Sequence, residues 1–295
     1  MFNIKSKNYS KGFVLVTLFI LISIYIAILK PIEDYNSSRV YNLAKVPKVY
    51  RVSLMNKFLD KQYEKNSILI IGDSQPNGFW YPDKDIFSTL LAKELNKKVI
   101  NASFRDGRVL DSIYIVNYLK NKNMLFDTII YNVNPTHVKE TNHNRLGLNY
   151  MLDYKIGIFK NINVLQDFPN HFNPTVTPNN YFYNYPSLPN FFLMPPKALA
   201  LYLEELKKFI VLAKSISKQV IIYATAHYED DFKRLRLNGK MVEKLEDIVK
   251  TICKENNVTF LKPNINQREY FKDIVHFNDK GHIEMSKILY KTINK

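Results

Sequence analysis

Ser74 stands in Ile70-Ile71-Gly72-Asp73-Ser74-Gln75, directly after a short apolar run, and Asp273-Ile-Val-His276 stands about two hundred positions downstream. A serine hydroxyl becomes a useful nucleophile only when a base takes its proton. His276 is such a base, and Asp273, three residues before it, can fix the imidazole tautomer and stabilise the imidazolium. Each fragment alone has a plainer reading: GDS as a strand-to-turn with a capping serine, D-x-x-H as a capping aspartate beside a surface histidine. At opposite ends of one alternating α/β domain the two together point to acyl-transfer chemistry, with Ser74 as nucleophile and His276 and Asp273 as its relay.

The elements that must position these groups are legible as alternating apolar runs and amphipathic stretches. Ser67–Gly72 reads as a buried strand ending in glycine, 85–96 as a helix, Lys98–Ala102 as strand two, and 109–120 as a helix. Thr128–Val133 reads as strand three, 196–216 as a helix, Gln219–Ala224 as strand four, 240–256 as a helix, Val258–Leu261 as a last strand, and 280–293 as a final helix. Such alternation predicts an α/β domain with a parallel sheet and helices on both faces. In such a sheet, sites form at the carboxyl ends of the strands, which is where Ser74 falls. A helix starting after Ser74 would aim backbone N–H groups at the site. Residues 136–195, rich in Asn, Pro, Tyr and Phe, break the rhythm as an insertion, either a lid over the substrate or a packing loop over the sheet edge.

With a GDS near the start of the domain and a D-x-x-H near its end, the chain resembles the SGNH superfamily, the GDSL-type hydrolases and acyltransferases, over about residues 66–295 without the insertion. That resemblance implies a flavodoxin-like three-layer α/β/α sandwich, ester hydrolysis or acyl transfer, and no metal or other cofactor. It also implies an oxyanion hole made by Ser74, a glycine after strand two and an asparagine after strand three. The glycine maps onto Gly107 in Asn101-Ala-Ser-Phe-Arg-Asp-Gly107, although an ungapped match would place Asp106 there. The asparagine maps onto Asn134 in Asn132-Val-Asn134-Pro135, where the family's G-x-N-D has lost its glycine and final aspartate. This departure points toward the more divergent, membrane-linked members.

Residues 12–29 hold no charge and, at 1.5 Å per residue, would span about 27 Å as a helix, close to the hydrocarbon thickness of a bilayer. Lys5, Lys7 and Lys11 precede this run, so the expected order is a cytoplasmic leader (1–11), a single transmembrane helix (12–29), a polar linker (30–60) and an extracytoplasmic catalytic domain (61–295). A cleaved signal peptide is the rival reading, disfavoured by the length of the run and the lack of a small-x-small cleavage site after Leu29. A buried core helix fits less well, because no polar face interrupts the run.

The net charge of +15 suits an anionic partner. The basic residues are scattered without a zinc-finger or RNP pattern, which argues against nucleic acid. The single cysteine, Cys253, excludes an internal disulfide and falls in a helix as a buried thiol, and no Cys/His cluster has metal-ligand spacing. Among the other histidines, His282 is expected on the final helix, partly exposed. His227 is expected as a loop-packing residue and His137 as a residue that could line the cleft, while nothing distinguishes His143 or His171.

These observations favour an anchored serine esterase or O-acyltransferase acting on acyl esters of a cell-surface glycan or anionic polymer. The resemblance adds that such proteins often receive acyl groups from a multispanning membrane acyltransferase. The competing classes are a non-catalytic envelope protein that binds glycan in the cleft, and a soluble lipid or thioester hydrolase.

Overall fold

Ile68–Ile71 (β1) is wholly buried, as a strand must be when helices cover both faces of its sheet. The computed structural model describes residues 6–24, 48–78, 81–105, 107–138, 194–228 and 239–295. The chain divides into two units, Met1–Ser37 and Ser38–Lys295.

In the first unit, Ser6–Ile24 forms helix α1, whose apolar side chains from Phe13 to Ile22 are largely exposed. Residues 25–29 of the apolar run lie outside the described residues. Among the described residues no helix is long and apolar enough to cross a membrane.

The first described element of the second unit is α2 (Lys48–Gln62), most of which falls in the stretch 30–60 read above as linker. The difference has a clear cause. Met55, Phe58, Leu59 and Gln62 recur at helical spacing and are buried, while basic neighbours give the segment a polar average. Asn56 Nδ2–H donates to the Tyr114 hydroxyl at 3.0 Å, which holds α2 to α5 (Val109–Asn121).

After β1 come α3 (Ser74–Asn77), α4 (Phe87–Leu95), β2 (Val99–Asn101), α5 and β3 (Phe126–Val133). Then follow α6 (Pro196–Ile216), β4 (Ser217–Ala224), α7 (Gly239–Glu255), β5 (Thr259–Leu261) and α8 (Asp279–Ile293). The expected strands and helices are thus present, with no end moved by more than two residues. All strand pairs are parallel, in the order β2-β1-β3-β4-β5, the flavodoxin-like winding.

Side chains alternate across each strand, so two separate cores result. Ile68, Ile70, Ile130, Ile221 and Tyr223 pack with Phe87 and Leu91 of α4 and Met285 and Leu289 of α8. On the opposite face the Tyr131 ring lies 4.7 Å from Phe209 of α6. Helices therefore cover both faces. Cys253 is buried in α7, and burial pushes its thiol pKa up to about 12. His282, expected to be partly exposed, is instead buried on α8, where its Nδ1 accepts the N–H of Phe87 at 3.3 Å. That bond satisfies one of the orphan donors in the first turn of α4, which a water-facing ring could not do.

The order of strands sets where a site can form. The chain passes from β1 outward to β2, then returns to lay β3 on the other side of β1. At that reversal the connections leave in opposite directions and a crevice opens beyond the carboxyl ends. Residues 72–74 leave β1 and residues 134–137 leave β3 at this place. Of the insertion 136–195, only its first three residues and its last two are described; Asp106, His143 and His171 also fall outside.

Candidate active site

Gly72 ends β1 with φ 157°, and the space beside it is taken. A Cβ built there would lie 1.8 Å from Asn132 Oδ1 and 2.9 Å from Pro76 Cγ. Asp73 then caps the short turn α3, its Oδ1 accepting the N–H of Gln75 at 2.9 Å, and Gly78 in the left-handed region stops the turn. The helix expected after Ser74 is thus a single turn. Gly72→Ala is expected to cost about 2 kcal/mol by overpacking. For a domain of this size that corresponds to a Tm fall of roughly 4–8 °C, read by thermal unfolding.

The far end of the chain comes to Ser74 as a folded loop. Phe271 and Phe277 form an antiparallel bridge, and the N–H of Lys272 donates to the His276 carbonyl at 2.8 Å. Inside the loop, Asp273 Oδ1 accepts the N–H groups of Val275 (2.9 Å) and His276 (2.8 Å). Its Oδ2 lies 2.7 Å from His276 Nδ1, and His276 Nε2 lies 2.9 Å from Ser74 Oγ. A carboxylate can only accept, so Nδ1 carries the proton. Nε2 is then the acceptor, and the Ser74 hydroxyl donates to it. The three expected relay residues are brought together in one line.

The electrostatics of the pair run in opposite directions. Burial pushes the His276 pKa down, but the charge and hydrogen bond of Asp273, helped by the charge of Asp73, outweigh it and raise the value above the ordinary 6.5. Arg105 opposes them. Burial pushes Asp273 up, but His276 and the two backbone N–H groups outweigh that and hold its carboxyl below the usual range.

Behind Ser74 lies a polar network that the sequence reading did not find. Asp73 is buried, and its N–H donates to Asn132 Oδ1 at 3.0 Å. Its Oδ1 accepts the Asn132 amide at 2.9 Å, and that amide also donates to the Thr225 hydroxyl at 3.1 Å. The signal was present: an asparagine within the apolar strand Phe126–Val133 has to find buried partners. Asn132 occupies the place where the family pattern has glycine, and its side chain fills the gap against Gly72.

The expected oxyanion donors are in unequal states. Asn134 uses one amide hydrogen on Asp73 Oδ2, and its Oδ1 accepts from the N–H and hydroxyl of Thr136. Among the hydrogen bonds of the described residues, none uses the N–H of Ser74. Gly107 donates its N–H to the Phe104 carbonyl at 3.0 Å, and a Cβ on it would lie 2.3 Å from the Gly72 carbonyl oxygen. Close approach to the nucleophile's turn is therefore what requires a glycine at 107. His137, on the turn after Asn134, is buried with Nε2 3.7 Å from Asp73 Oδ2. His227 is half-buried with Nδ1 3.4 Å from the Thr225 carbonyl, a packing position in the loop after β4.

No protein-family model matches the chain, and no curated protein matches it. Among solved structures, a lipolytic protein of the G-D-S-L family from Veillonella parvula DSM 2008 is 15% identical, with a TM-score of 0.47. That match covers 78% of this chain and 98% of the other. A catalytic mutant of Axe2, an acetylxylan esterase from Geobacillus stearothermophilus, is 13% identical at a TM-score of 0.48, covering 78% and 95%. Est24, a carbohydrate acetylesterase from Sinorhizobium meliloti, is 12% identical at 0.45, covering 78% and 99%.

Proposed function

We propose that this chain is a serine esterase or O-acyltransferase of the SGNH kind, anchored in the membrane by residues 12–29 with its catalytic unit outside the cytoplasm. In this reading it acts on acyl esters of a cell-surface glycan or other anionic polymer. The observation that carries the chemistry is the continuous line from Ser74 Oγ through His276 to Asp273, with 2.9 Å and 2.7 Å links.

The steps follow from that line. Ser74 Oγ attacks the ester carbonyl while its proton passes to His276 Nε2. The carbonyl oxygen becomes an oxyanion, for which the Ser74 N–H and the second Asn134 amide hydrogen are the proposed donors. The tetrahedral centre collapses, the C–O bond to the leaving alcohol breaks, and His276 returns the proton to that alcohol. An acyl-Ser74 enzyme is left. Water or a polymer hydroxyl then gives its proton to His276 and attacks the acyl carbon, the bond to Ser74 Oγ breaks, and His276 returns the proton to that oxygen. Which of the two wins depends on what the cleft admits to the acyl-enzyme.

The location and substrate class rest on the uncharged run, the lysines before it and the net charge of +15, which favours anionic polymers near a membrane. A multispanning membrane acyltransferase would be the natural acyl supplier if the reaction is a transfer.

One experiment addresses both chemistry and anchoring. Membranes from cells making the full chain are washed with alkaline carbonate and treated with a fluorophosphonate probe. The expected result is a labelled band that stays with the membranes and carries the probe on Ser74. Label in the wash would refute the anchor, and an unlabelled protein would leave a glycan-binding fold without chemistry.

A further inference from the structure

The residue after the nucleophile is not a bystander. Gln75 is 2% exposed and its carboxamide is fully used. Its Nε2 donates to the Ala226 carbonyl at 2.8 Å and to the Val275 carbonyl at 2.5 Å, while its Oε1 accepts the Ala226 N–H at 3.3 Å. Ala226 lies two residues past the end of β4, and Val275 immediately precedes His276. One side chain thus joins three segments: the serine turn, the end of β4 and the relay loop.

One of the three junctions has support that does not involve Gln75. The turn at Ser74 is capped by Asp73, and the relay loop is tied to the β4 segment by the N–H of Tyr228 donating to the Ile274 carbonyl at 2.9 Å. Gln75 itself ties the serine turn both to Ala226 and to the relay loop, beside the Ser74–His276 bond. A catalytic bond of this type must persist while the serine proton is being lost, when its own attraction no longer fixes the distance. A tie one residue from Ser74 and one residue from His276 supplies that constraint.

We infer that Gln75 is a positioning residue that sets the separation of Ser74 and His276 through its hydrogen bond to the Val275 carbonyl. This rests on the reading of Ser74 as nucleophile. The Gln75 carboxamide bonds to backbone groups of Ala226 and Val275, so it acts through the position of the loop.

The test compares the full-length wild type with Gln75→Met, which keeps length and burial but cannot hydrogen-bond to either carbonyl, and with Gln75→Asn, which keeps the carboxamide on a shorter stem. A control, Leu289→Val in α8, lowers stability away from the site. Fluorophosphonate labelling rates, p-nitrophenyl acetate kinetics and Tm are read for each. Gln75→Met is expected to lower kcat and the labelling rate by about 10²-fold, the order of loss that misplacing a catalytic group by an ångström brings, with KM within about two-fold. Gln75→Asn is expected to fall between. Loss of labelling no greater than that of a control with the same Tm change would overturn the inference and leave Gln75 as packing. If Gln75→Met does not fold, Gln75→Asn decides on the same criterion. Failure of the wild type itself to label would remove the nucleophile reading and this inference with it, an outcome distinguishable from a labelled wild type with an equally labelled variant.

Discussion

Ser74→Ala is expected to lower turnover of an activated ester such as p-nitrophenyl acetate by about 10⁴-fold or more, because the loss of a triad nucleophile removes the acyl-enzyme route altogether. Tm should change little, since among the described residues Ser74 Oγ has a single hydrogen-bond partner, His276 Nε2. Residual hydrolysis from the polarising N–H groups and from bound water is expected to survive. A variant that keeps ordinary turnover and burst kinetics would remove Ser74 from the mechanism. A transferase can hydrolyse the model ester slowly even when intact, so the informative quantity is the ratio of variant to wild type under one condition.

Asp273→Asn gives the second large effect, for a different reason. Asparagine places an N–H donor against Nδ1, so the imidazole proton moves to Nε2 and the ring no longer accepts from Ser74. A loss of about 10⁴ in kcat is expected from this reversal of the tautomer. The pH dependence also moves. The ordinary values are 6.5 for the imidazole and 3.8 for the carboxyl, and the structure raises the first and lowers the second. In the wild type, base catalysis should therefore fall away on the acid side at a pH above 6.5, and removing the Asp273 charge should shift that limb downward.

Stability follows the same shifts, with signs that can be checked. The raised His276 value stabilises the fold below pH 6.5, and this contribution is lost as pH rises through the folded value. The lowered Asp273 value stabilises the fold above pH 3.8, and that contribution is lost as pH falls through its folded value. Both act together between 3.8 and 6.5. The Tm difference between wild type and Asp273→Asn should accordingly be largest near pH 5 and shrink above neutrality, as unfolding scans across that range would register.

The skeleton was legible in the sequence because its signals are local. Ile68–Ile71 and Phe126–Val133 are apolar runs of strand length, and α4 to α8 carry apolar positions at helical spacing. Ser74, Asp273 and His276 were legible because chemistry restricts which residue types can serve. What sequence did not yield depends on partners far apart in the chain. Asn132 and Asp73 lie 59 positions apart, Gln75 and Val275 lie 200 apart, and no period in the sequence announces either pairing. His282 was misplaced for the same cause: its burial is decided by the first turn of α4, 195 positions earlier. The helix at Lys48–Gln62 was hidden by averaging, since four buried positions sit among charged ones.

The placement of the relay loop beyond β5 has a consequence for the order of events during synthesis. The hydroxyl is made first, and its base follows 202 positions later. Phe277 joins the core beside Met285 and Leu289, so the imidazole is held in place only when α8 has docked. Until that moment the serine is an ordinary alcohol. In the proposed reading, a chain that has not yet added α8 lacks a held base, and reactivity at Ser74 reports that α8 has docked.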